Sequence, residues 1–132
     1  MTASGPQPPR HILIIDDEMD IQAVARLALQ TVAGWQVTTA SSGAEGIAQA
    51  QQLQPDAILL DVMMPEVDGL STLQQLYGNP QTRSIPVILM TAKTQLPGME
   101  NFSTLGIAAV ITKPFKAMQL AQQIAQALAW KD

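Results

Sequence analysis

The sequence predicts an α/β protein of the (βα)5 type, a doubly wound parallel sheet with helices on both faces. Three observations predict it. Five short apolar runs alternate with longer segments of helical period. Three of those runs are almost wholly apolar instead of alternating, as strands covered on both sides must be. The polar residues that interrupt the pattern fall where the runs end, and in such sheets that edge is where ligands bind.

The first run, His11 to Ile15, stops at Asp16-Asp17. Gln36 to Ala40 is a second, weaker run, and Ala57 to Leu60 a third that ends at Asp61. Pro86 to Met90 ends at Thr91, and Ala108 to Thr112 ends at Lys113-Pro114. Between the first two runs, Ile21, Val24, Ala25, Ala28, Leu29 and Val32 mark a helical stripe. Ser42-Gly43-Ala44-Glu45 fits a capping box, with Ile47, Ala50 and Leu53 following at helical spacing. Asp68 can cap a third helix carrying Leu70, Leu73, Leu76 and Tyr77, closed by Gly78-Asn79-Pro80. A short fourth helical segment runs from Pro97 to Leu105, and a fifth, rich in Ala, Gln and Leu, from Lys116 to Trp130.

Composition narrows the function. The chain has 132 residues and no cysteine, which excludes disulfide frameworks, thiolate zinc sites and cysteine nucleophiles. One histidine, His11, excludes any site built on two imidazoles. Seven basic against 11 acidic side chains give a net charge of −4, which argues against a nucleic-acid partner. No apolar run reaches a membrane span, and Met1 to Pro9 is not patterned as a secretory signal. The expected organisation is a disordered leader over 1–10 and one cytoplasmic domain over 11–132.

The strand-end residues carry the chemistry. If the first strand lies between the second and third, the carboxylates of Asp16, Asp17 and Asp61 converge and repel one another. A divalent cation relieves that conflict, and Mg²⁺ takes such a set of one or two carboxylates, a carbonyl and waters. Lys113 and the Thr91 hydroxyl add a cation and a donor on the far side. Together they outline a tetrahedral oxyanion joined to Asp61, a layout for phosphoryl transfer to a carboxylate. Asp16, Glu18 and Asp20 lack the glycine and distal glutamate of a calcium loop. A true phosphatase would need a general base, and none is evident.

Four motifs in order, Ile14-Ile15-Asp16-Asp17-Glu18, Leu59 to Gly69, Met90-Thr91-Ala92 and Thr112-Lys113-Pro114-Phe115, resemble the receiver domain of two-component response regulators. The resemblance runs from about His11 to Leu128. It implies the flavodoxin-like sheet order 2-1-3-4-5. It also implies that Asp61 accepts phosphate from a histidine kinase or a histidine phosphotransfer protein. Asp17 and Asp61 then ligate Mg²⁺ directly, Asp16 acts through water, and Met63 offers its backbone carbonyl. Thr91, followed by Ala92, supplies the switch hydroxyl, while Lys113, before Pro114, binds the phosphate.

Two features depart from the family pattern. Val110 stands where many receivers carry an aromatic switch residue. Met63 and Lys93 occupy positions that line the route of hydrolytic water, and neither suits the orienting of that water, so a long-lived phosphoryl group is expected. With only Lys131 and Asp132 after Trp130, the chain is expected to act as a stand-alone receiver. It would signal to a downstream protein through the face of the fourth helical segment, fifth strand and fifth helical segment. The alternative is a pseudo-receiver that binds partners without phosphorylation.

Overall fold

An aliphatic strand with both faces buried seeds the sheet: in β1 (His11–Ile15), Ile12, Leu13, Ile14 and Ile15 are all fully buried. Such a strand belongs at the centre of a sheet sandwiched between helices. The computed structural model, which describes residues 10–61, 69–92, 107–113 and 115–129, places it there. The other strands are β2 (Gln36–Ala40), β3 (Ala57–Asp61), β4 (Val87–Ala92) and β5 (Ala109–Lys113). All pair in parallel, in the order β2-β1-β3-β4-β5. The expected α/β fold, a five-stranded parallel sheet in the order 2-1-3-4-5 with helices, is therefore present. Residues 62–68 and 93–106, with the expected Asp68 cap and the segment from Pro97 to Leu105, lie outside the described residues, as do residues 1–9 and Trp130.

The two-residue period of the strands sorts the core into two layers. Leu13, Ile15, Ile58, Leu60, Val87 and Leu89 pack with Ala50 of α2 (Gly43–Leu53) and with Leu73 and Leu76 of α3 (Gly69–Tyr77). Ile12, Ile14, Leu59, Ile88 and Met90 pack on the other side with Ala25 of α1 (Met19–Ala28) and with Leu120, Ala121 and Ile124 of α4 (Ala117–Ala127). The last helix is the fifth helical segment of the sequence. β2 is a partly exposed edge strand, which explains its weak apolar signal.

Local rules account for most helix ends. Ser42 caps α2, its hydroxyl accepting from the Glu45 amide at 3.1 Å, while the Glu45 carboxylate accepts from Ser41 N at 2.8 Å. The reciprocal bond of the expected capping box thus reaches one residue further back. At the far end of α3, the Thr82 hydroxyl donates to the Leu76 carbonyl at 2.6 Å, satisfying an acceptor the helix leaves open.

The stripe on α1 differs from expectation. Its buried residues include Gln22, Ala25 and Ala28, with Leu29 beyond, whereas Val24 and Val32 are 46% exposed. After Ala28 the helix widens into a π turn over Leu29–Ala33, closed by Gly34 at φ 71°. A wider turn advances less around the axis per residue, so Val32 falls short of the buried face. Val24 lies off the centre of a face defined by residues 22, 25 and 29.

Candidate functional site

The carboxyl edge of the sheet gathers the site. Asp61 ends β3 and is 2% exposed; the register sets it opposite Met90, one residue before Thr91. Thr91 pairs with Thr112 and Ala92 with Lys113, so the backbones of Thr91, Ala92 and Lys113 lie at this same edge, on the two strands beyond β3. Asp16, fully buried, leaves β1 on the other side of β3. Its amide donates to the Ala40 carbonyl at 3.0 Å, which ties the end of β1 to the end of β2.

Asp16, Glu18 and Asp61 each present a carboxylate oxygen, and the three oxygens lie within 4.8 Å of one another. Asp16 and Asp61 were expected here. Among the described residues, Asp17 does not join the group, and Glu18 does. Glu18 is the N-cap of α1, at φ −90° and ψ 111°, an extended conformation. The backbone bends at Asp17, between the end of β1 and this cap, and the bend brings Glu18 back beside Asp16. The Glu18 amide also donates to Asp16 Oδ1 at 2.9 Å, holding the two acidic residues side by side. Sequence reading does not single out Glu18 as a site residue, because the bend that sets it beside Asp16 has no signature in the apolar pattern.

Three hard carboxylate oxygens in this space are the donor set of a hard divalent cation. Two of the three donors are buried, and a cation would offset the mutual repulsion of the carboxylates.

Gln22 is the second residue that sequence reading missed. Its side chain is 5% exposed, and its amide nitrogen donates to the Asp16 carbonyl at 2.5 Å, to Ser41 Oγ at 3.1 Å and to the Ala40 carbonyl at 3.3 Å. Nothing in the sequence separates this glutamine from those on the solvated helix faces. Val110, at the position where an aromatic is common, is half-buried against the layer shared with α2 and α3. Met63, Lys93 and Pro114 lie outside the described residues.

The pattern over residues 12–125 matches the response regulator receiver domain model. The chain belongs to the response regulator receiver family. Members of that family are phosphoacceptor signalling modules, not catalytic enzymes. The transcriptional regulator RpaA of Synechocystis is 38% identical to this receiver over 113 residues, covering 86% of the chain and 46% of RpaA. The response regulator PleD of Caulobacter vibrioides is likewise 38% identical, over 119 residues, covering 86% of the chain and 25% of PleD. The receiver thus spans half or less of these relatives' length.

Among solved structures, chemotaxis protein CheY4 of Vibrio cholerae superposes with a TM-score of 0.82 at 27% identity, over 90% of this chain and 98% of that one. The receiver domain of a Pseudomonas aeruginosa sensor histidine kinase gives a TM-score of 0.80 at 27% identity, over 92% and 98%. That structure holds a magnesium ion in its active-site cleft. Among the described residues of the present receiver, no helix is long and apolar enough to cross a membrane.

Proposed function

We propose that this receiver accepts a phosphoryl group on Asp61, from a histidine kinase or a histidine phosphotransfer protein, in a Mg²⁺-dependent step. The observation that carries the reading is the meeting of Asp61 with Asp16 and Glu18 at the carboxyl edge of the sheet, in a chain of this family. An oxygen of Asp61 attacks the phosphorus of a phosphohistidine. The new P–O bond forms as the P–N bond breaks, and the imidazole nitrogen keeps the electron pair and takes up a proton.

Asp16, Asp61 and Glu18 would hold the Mg²⁺, together with Asp17 and the Met63 carbonyl as family resemblance implies. The cation supplies neutralisation of charge on the transferring group. Lys113 adds a cation that binds the phosphoryl oxygens, and the Thr91 hydroxyl donates to them, which couples phosphorylation to a movement of β4. A downstream protein then reads the surface beside β5, or the phosphoryl group passes onward. With Met63 and Lys93 unable to accept a proton from an attacking water, hydrolysis is slow by the family's standard.

Incubation with Mg²⁺ and a small phosphodonor, followed by intact mass, tests the reading. The parental protein should gain one phosphoryl group and Asp61→Asn none. Equal labelling of Asp61→Asn would remove Asp61 from the role, and absence of labelling in the parent would favour a phosphorylation-independent binding module.

A further inference from the structure

Gln22 sits in the second turn of α1, on the face turned to the sheet, where its neighbours Ala25 and Leu29 are apolar. A buried primary amide on such a face is costly unless its hydrogens are used. Here both are used, with three acceptors sharing them: the carbonyls of Asp16 and Ala40 and the Ser41 hydroxyl. The three acceptors belong to the ends of two strands and to the residue that leads into α2.

The consequence falls on one peptide unit. Asp16 N already donates to the Ala40 carbonyl, and Gln22 takes hold of the Asp16 carbonyl from the other side. With both backbone groups of Asp16 fixed, the peptide joining Asp16 to Asp17 cannot rotate about its own axis. That rotation is the motion that would swing Asp17 and Glu18 relative to Asp16. Glu18 in turn is pinned to Asp16 Oδ1 through its amide, so the alignment of the acidic side chains depends on this single peptide.

We infer that Gln22 is a positioning residue for the acidic site, fixing the Asp16–Asp17 peptide so that the carboxylates are preset for a divalent cation. The inference rests on the reading that the acidic group takes up Mg²⁺. Groups that orient ligands without touching the metal commonly change metal affinity by 10-fold or more when removed, and about tenfold is the effect assigned here.

The experiment titrates the full chain with Mg²⁺ alone and follows backbone amide chemical shifts, a readout independent of phosphorylation. Gln22→Met keeps the length of the side chain and removes the donor. Gln54→Met is the control: that amide also reaches three carbonyls, those of Ala50, Gln51 and Gln81, but at the C-terminal end of α2, away from the site. Gln22→Met should weaken Mg²⁺ binding about tenfold and Gln54→Met less than twofold. Should Gln22→Met fail to fold, Gln22→Asn, which retracts the amide by one methylene, should show the same weakening. Unchanged Mg²⁺ affinity in the folded Gln22 variant, or equal weakening in both variants, would overturn the inference while leaving the metal site standing. A parental chain that takes up no Mg²⁺ would overturn both.

Discussion

Replacing Gly46 by alanine sets two effects against each other, and the structure decides the sign. In an exposed helix interior the change should stabilise by about 1 kcal/mol, because glycine is the poorer helix former. Gly46, however, is buried in α2 over the end of β1. A Cβ there would stand 2.3 Å from Ile15 Cδ1, 2.6 Å from Cγ1 and 3.2 Å from Cγ2. Carbon atoms pack best at about 3.5–4.0 Å, so the closest contact must open by roughly 1.2 Å or more. Ile15 has little freedom to yield. It is fully buried and its backbone pairs with Ala40 on one side and Leu60 on the other. Overpacking of this kind costs about 1–3 kcal/mol, which leaves a net loss centred near 1 kcal/mol after the helix-propensity gain. For a domain of this size that is a fall in Tm of about 3–5 °C.

Thermal and urea unfolding of Gly46→Ala measure it, and a double-mutant cycle with Ile15→Val isolates the cause. Trimming Ile15 should make the alanine about 1 kcal/mol less costly than in the parental background. A Tm raised by Gly46→Ala, or an equal cost in both backgrounds, would refute the close-packing argument. Because Ile15 directly precedes Asp16, the same push falls on the acidic site.

Thr72 is fully buried, and its hydroxyl has no hydrogen-bond partner among the described residues. Thr72→Val should therefore raise stability by about 1 kcal/mol in urea unfolding; a loss of that size would mean that the hydroxyl is bonded after all. Tyr77 is the only tyrosine, and burial pushes its phenol above the ordinary value of 10.0. Its neutral form is favoured by folding, so that contribution is complete below pH 10 and is lost as pH rises through the folded value. Tyrosinate absorbance of the native protein should titrate above 10.0, and a native midpoint at or below it would contradict the burial.

Much of this receiver was legible along the chain. Aliphatic runs such as Ile12 to Ile15 are strands in almost any context, and helical segments between them compel parallel crossovers. The Ser42–Glu45 cap is a local interaction and reads locally. Asp16 and Asp61 could be placed at one edge because a strand's end is visible where its apolar run stops. Other features depend on directions that no local pattern carries. Whether Asp17 or Glu18 faces Asp61 depends on the backbone between β1 and α1, which follows from how the helix docks on the sheet. The π turn at Leu29–Ala33 and the outward Val32 likewise arise from fitting α1 against its neighbours. Gln22 reads as one more polar helix residue until the fold brings the ends of β1 and β2 together beneath it. An amide acquires its role from its acceptors, and these acceptors, 6 to 19 residues away in sequence, meet only in the folded chain.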